Sequence, residues 1–118
     1  MTNLKAILQE LMGDDTRAIA LVDSDGVVVD AVTKGGSQDL QTVAEDLATL
    51  LKVGAYCARK LDGGDLDHVT MTTEHLAVLA VALGPSHYVA TILDAGGNLA
   101  RARMQLKRRR TAIMEELK

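Results

Sequence analysis

The stretch from about Asp39 to Leu61 runs without a proline between two glycine pairs, Gly35-Gly36 and Gly63-Gly64, and its apolar residues recur at helical spacing. Projected at about 100° per residue, Val53, Cys57, Leu50, Val43, Leu61, Gly54, Leu47, Leu40, Ala58, Leu51, Ala44, Ala55 and Ala48 share one arc of roughly 220°. A helix that covers one face of a sheet needs only about 100° of apolar surface. Gln41, Thr42, Glu45, Thr49, Lys52, Tyr56, Arg59 and Lys60 close the circle as a narrow wet face. The surplus greasy surface must therefore meet something besides the sheet it covers. Gly54, near the middle of the arc, costs a helix interior roughly 1 kcal/mol relative to alanine, which a tight helix-to-sheet or helix-to-helix crossing would offset.

The remaining segments say what the helix packs on. Leu4, Ile7, Leu8, Leu11 and Met12 mark one face of a short helix, with Gly13 placed as a C-cap glycine. Arg17 to Val32 holds two β-rich runs divided by Asp25-Gly26, a dipeptide that tolerates the positive φ of tight hairpins. After the long helix, Asp62-Gly63-Gly64-Asp65 is a break. Leu66 to Thr73 then alternates, with Val69 and Met71 opposite His68, Thr70 and Thr72, as a half-buried edge strand does. Leu76 to Leu83 is uninterrupted apolar and too short for a typical helix, which suits a strand covered on both faces. Tyr88 to Leu93 is a fifth strand, Ala95-Gly96-Gly97 a turn, and Asn98 the cap of a last helix from Leu99. The expected order is αββαβββα. It describes an α/β (more strictly α+β) fold in a single domain over residues 1–118, with five antiparallel strands and helices on both faces.

The strand Leu66 to Thr73 has no proline and few charges, so as a sheet edge it is poorly protected against pairing. Together with the surplus on the helix, this predicts an isologous homodimer that joins the long helices and extends the sheet through this strand.

With no Phe or Trp and only Tyr56 and Tyr88, the core is aliphatic and offers no base-stacking platform. The lone cysteine, Cys57, cannot form an intrachain disulfide; it reads as a buried packing residue in a reducing cytoplasm. No basic leader and no apolar run of membrane-spanning length appears, so neither export nor membrane insertion is expected. Of the net charge of −3, Arg101 to Lys118 contributes seven cations against two acids, leaving −8 on the first hundred residues. That acidic body opposes a nucleic-acid backbone. In the last helix Leu99, Ala102, Leu106, Ile113 and Leu117 form a stripe that Arg110 interrupts. Lys107, Arg108, Arg109 and Arg110 cover about 300° of the helix, so Arg110 either snorkels or the helix overhangs the body. Arg103 and these four are candidates for an acidic partner surface.

Chemistry is sparse. His68, His75 and His87 lack metal-ligand spacing, and Ser24 and Ser86 are turn residues without a nucleophile elbow or evident histidine partner. Gly35-Gly36 and Gly96-Gly97 do not continue as phosphate-binding motifs, and Asp23 and Asp25 belong to turn geometry rather than to a cation loop. No catalytic residue, cofactor, metal or small-molecule substrate is expected.

The segment Ala20-Leu21-Val22-Asp23-Ser24-Asp25-Gly26-Val27-Val28 resembles the hairpin signature of the Roadblock/dynein light chain family. Its context matches as well: a leading helix ending at Gly13, an Ala/Leu-rich long helix, Gly63-Gly64, and strands ending at Leu93-Asp94. The resemblance covers essentially the whole chain. It implies a sheet with the long middle helix on one face and the terminal helices on the other, dimerising through that helix and the third strand. The interface would then include Leu47, Leu50, Val53, Gly54, Cys57, Val69 and Met71. It further implies a non-enzyme similar to the gliding-motility type of regulator, which binds a small Ras-like GTPase. Arg17, Arg59, Arg101 and Arg103 fall on regular elements, so any stimulation of hydrolysis is expected to act by positioning switch loops and not through an arginine finger. The alternative is a structural adaptor in a motor, polarity or signalling complex.

Overall fold

In the computed structural model, which describes residues 3–34 and 40–117, the elements are α1 (Leu4–Glu10), β1 (Thr16–Asp23), β2 (Val28–Thr33), α2 (Leu40–Lys60), β3 (His68–Thr72), β4 (Leu76–Leu83), β5 (His87–Asp94) and α3 (Leu99–Glu116). This is the expected αββαβββα order. Asp39 and the Gly35-Gly36 pair lie outside the described residues. All five strands pair antiparallel in one sheet, ordered β2-β1-β5-β4-β3.

Side chains alternate across a strand, and here the two faces differ in size. One carries Ala18, Ala20, Ala80 and Ala90 with Val22, Val78 and Ile92; against it lie Ala44, Leu47, Ala48 and Leu51 of α2. The other carries Ile19, Leu21, Leu79, Val81, Leu83 and Val89, packed on Ile7 and Leu8 of α1, on Leu11 at its C-cap, and on Leu106 and Ile113 of α3. Small side chains on one face let α2 approach the sheet, while the bulky face fills the space under two helices. Both faces of β4 are covered, as its unbroken apolar run requires.

Three contacts fix α2 in place. Gly26, in the β1–β2 turn, has φ +84°, and a Cβ there would come within 2.7 Å of Glu45 Cα. The Asp23 carboxylate accepts from the N–H groups of Asp25 and Val27 at 2.9 and 3.0 Å, so these aspartates belong to the turn. Only Gly26, and not Asp25, takes the left-handed conformation. Gln41, on the wet face of α2, donates Nε2 to the Gly26 carbonyl at 2.8 Å and accepts the Val28 N–H at 3.1 Å. From β5, the buried Tyr88 hydroxyl donates to the Ala44 carbonyl at 2.5 Å.

The caps follow the sequence in part. Asn3 and Asn98 accept the N–H groups of Ala6 and Arg101, capping α1 and α3. Gly13 is not a left-handed C-cap: Leu11 ends α1 in right-handed geometry, and the Gly13 N–H donates to Thr16 Oγ1 at 3.0 Å. The stop of α2 uses Asp62 in the left-handed position, with φ 55°, and not one of the two glycines beside it. The Gly63 N–H reaches the Ala58 carbonyl at 2.8 Å and the Asp62 N–H reaches that of Arg59 at 3.1 Å, the bonding pattern of a Schellman cap.

Two positions with φ above zero should respond oppositely. Asp62→Gly relieves a side chain from a glycine conformation and raises stability by about 0.5–1 kcal/mol. Gly26→Ala adds both strain and a clash with the α2 backbone and costs about 2 kcal/mol or more. Urea denaturation of the two variants measures both signs.

Burial raises the Tyr88 phenol from 10.0 to about 12, with the Asp23 carboxylate adding to the shift. The folded state holds this proton more tightly than the unfolded chain. Its contribution is complete below pH 10.0 and is lost as pH rises toward about 12. Tyr88→Phe should cost about 1 kcal/mol at neutral pH and flatten that alkaline loss, as followed by denaturant midpoints across the window.

Candidate protein interface

Within the chain, α2 buries only part of its apolar arc. Ala44, Leu47, Ala48 and Leu51 are covered by the sheet, whereas Val43, Leu50 and Val53 are 40, 39 and 54% exposed, and Leu61, just past the helix, 81%. Cys57 is also exposed, contrary to its expected buried packing. Helical spacing puts these exposed residues on one flank, and Asp46 stands among them, an acidic residue that a projection of apolar positions does not register. A Cβ on Gly54 would meet Leu66 Cδ2 at 3.3 Å and Val69 Cγ2 at 3.6 Å. The close crossing inferred from this glycine is thus helix to sheet, over the start of β3.

The seven residues expected at a self-association surface separate accordingly. Leu47 packs into its own core, Gly54 and Val69 are half-buried against each other, and Leu50, Val53, Cys57 and Met71 remain open.

The sheet ends in β2 on one side and β3 on the other, and the two rims are not alike. On β2, the Ala31 N–H donates to Asp30 Oδ1 at 2.9 Å and its carbonyl accepts from Lys5 Nζ at 2.8 Å. Lys5 is itself ion-paired with Asp30 at 2.8 Å, so α1 reaches over the middle of this rim at Ala31. On β3, bonds from the Ala82 N–H to the Asp67 carbonyl and from the Thr73 N–H to that of Leu76 define which residues face β4. Antiparallel alternation then turns the N–H and C=O of His68, Thr70 and Thr72 outward. Among the described residues, no side chain bonds to them. Just before the strand, Asp67 is held below the usual carboxylate range, first by a hydrogen bond from His68 at 2.9 Å and then by Lys107 at 3.5 Å.

The basic helix does not present one cationic face. Lys107 pairs with Asp67 at 3.5 Å and Arg109 with Glu10 at 3.2 Å, while Arg109 Nε is buried without a partner. Arg108 lies along Met104, and Arg103 points to solvent. Arg110 is half-buried and leaves the others, rounding the end of the sheet toward α2. This is the snorkelling alternative.

Other polar groups serve turns and pairs. Ser86 Oγ does have a histidine neighbour, His87 Nδ1 at 2.8 Å, but among the described residues no acid orients the other ring nitrogen. Arg17 is engaged by Asp94 at 2.6 Å and by the His75 carbonyl at 3.2 Å. Among the described residues no group of three or more His, Cys, Asp or Glu side chains is placed to hold a metal, and no helix is long and apolar enough to cross a membrane.

Residues 5–94 match the Roadblock/LC7 domain family. None of the curated proteins matches the sequence. Among solved structures, the chain is similar to MglB in a tetrameric arrangement, with 17% identity and a TM-score of 0.85 over 95% of this chain and 85% of that one. The gliding protein MglB of Thermus thermophilus has 17% identity and a TM-score of 0.83, over 95% and 86% of the two chains. A Roadblock/LC7 domain from Streptomyces avermitilis has 16% identity and a TM-score of 0.86, over 98% of each.

Proposed function

This chain belongs to the Roadblock/LC7 domain family, and from that premise we propose that it is a non-catalytic cytoplasmic homodimer that binds and regulates a small Ras-like GTPase. One observation supports the dimer above the rest: the bare flank of α2 and the bare rim of β3 lie together, because Gly54 seats α2 over Val69. A single twofold axis beside Thr70 serves both. It pairs β3 with its own copy through the outward groups of His68, Thr70 and Thr72. It also brings the Val53–Cys57 turn of α2 against the same turn of the twin. Leu50, Val53, Cys57 and Met71 then leave water together, whereas each alone is an exposed apolar side chain.

The GTPase reading is supported by the MglB gliding proteins among the structural neighbours and by the regulatory or adaptor character of the family. Arg103 and Arg108, two exposed cations of α3, are the proposed contacts for an acidic partner surface. With Arg17 already paired and Arg59, Arg101 and Arg103 on helices, stimulation of hydrolysis would proceed through the partner's own switch loops. A scaffolding role is the second reading, and the tetrameric arrangement of one MglB structure favours it.

Light scattering of the native chain should give twice the chain mass. Val53→Asp places like charges beside the axis and should yield monomer. Thr70→Pro removes an outward N–H without touching the β4 ladder and should weaken association roughly tenfold or more. A native monomer at all concentrations would refute the dimer. For the partner, the dimer is titrated with a candidate small GTPase loaded with GDP or with a GTP analogue. Binding that depends on the nucleotide, with faster turnover, is expected; equal binding in both states would assign the protein to scaffolding.

A further inference from the structure

On the flank of α2 that faces away from Leu50 and Cys57, a cleft of about 540 Å³ opens beside the β1–β2 and β4–β5 turns. Its floor is apolar, with Ala55 of α2, Leu66 before β3 and Ala82 of β4. Lys52 and Arg59 enter from α2, and Arg110 arrives from α3, which lies on the opposite face of the sheet. Asp65 is the acidic residue in the lining, and His87 and Ser24 complete its polar part.

The three cations have a common property. Lys5, Arg17, Lys107 and Arg109 are each matched by a carboxylate. Among the described residues Lys52, Arg59 and Arg110, like Lys34, Lys60, Arg101, Arg103 and Arg108, are matched by none, but these three alone line one cleft, in a chain that as a whole carries −3. Gathering like charges in a concavity raises free energy unless an anion answers them. Arg110 adds to this, since it breaks the apolar stripe of α3 to reach the cleft.

The lining defines the anion. Three cations against Asp65 leave a formal +2 among Lys, Arg and Asp, which one phosphate monoester, about −1.5 to −2 at neutral pH, nearly balances. The volume lies within the roughly 300–1,000 Å³ of small-molecule sites and exceeds what a bare phosphate fills. We propose that this cleft binds a small organic phosphate, with Lys52, Arg59 and Arg110 on the phosphate and Ala55 and Leu66 under the organic part. Because Arg110 belongs to α3 and the other two cations to α2, the ligand ties together helices on opposite faces of the sheet. Binding therefore raises the melting temperature. The site is separate from Leu50, Val53, Cys57 and Met71 and does not depend on what those residues contact.

Phenyl phosphate is the probe, with phenol and inorganic phosphate as its two halves. Backbone-amide NMR titration of the full chain should show saturable binding, with shifts confined to the cleft. Affinity should exceed that for inorganic phosphate, phenol should have no effect, and phenyl phosphate should raise the melting temperature. Arg110→Gln and Arg59→Gln should each weaken binding roughly tenfold, while Arg108→Gln, outside the cleft, should not. If Arg110→Gln disturbs the fold, Arg59→Gln and Lys52→Gln carry the comparison. The proposal fails if binding does not saturate, if inorganic phosphate binds as well as phenyl phosphate, or if Arg108→Gln weakens binding equally. Displacement of phenyl phosphate by a lower concentration of hexaglutamate would also overturn it, assigning the cleft to an acidic protein segment.

Discussion

The seating of α2 on the alanine face of the sheet governs most of what the molecule can do. Ala18, Ala20, Ala80 and Ala90 give up side-chain volume, and Ala44 and Ala48 do the same on the helix, so the two backbones approach. Close approach exposes any excess bulk at the contact, which explains why Gly26 and Gly54 stand where the helix meets the first hairpin and the start of β3. A helix so placed can press only one strip of itself on the sheet. Its apolar arc is wider than that strip, and the remainder spills over one flank.

The two flanks of α2 consequently have different chemistry. One offers Leu50, Val53 and Cys57 beside a strand whose outward backbone groups are unpaired among the described residues, a surface suited to burial. The other offers Lys52 and Arg59 above a hollow, a surface suited to an anion. Each draws on a second element: β3 on the first side, and Arg110 of α3 on the second. The separation means that occupancy of one flank leaves the other accessible.

Much of this was legible in the residues. The Asp25-Gly26 hairpin, the alternating and continuous strands, the Asn98 cap and the excess width of the long helix are local or periodic signals, and they gave the element order and the layering. What escaped depends on spatial neighbours. Gly13 looks like a cap by position, but its N–H is taken by Thr16 three residues on. Asp62 takes the left-handed place despite two adjacent glycines. Cys57 looks buried by residue type, yet it lies on the flank the sheet does not reach. Ala18 and Ala20 of β1, Ala80 and Ala82 of β4 and Ala90 of β5 mark the face that receives the helix, but grading residues only as apolar or polar passes over them. That Arg110 lines the same cleft as Lys52 and Arg59 leaves no periodic trace in the residues, since it joins helices separated by the whole sheet.

Lys5 is a small feature that bears on how further copies could add to the sheet. A β-sheet with two free margins is a monomer unit for indefinite fibre growth, each copy adding another until the protein precipitates. With a lysine tip set against the middle of one margin, strand-to-strand addition would be steered to the other and would end after a single event, and anything larger would have to be built by stacking through helices instead.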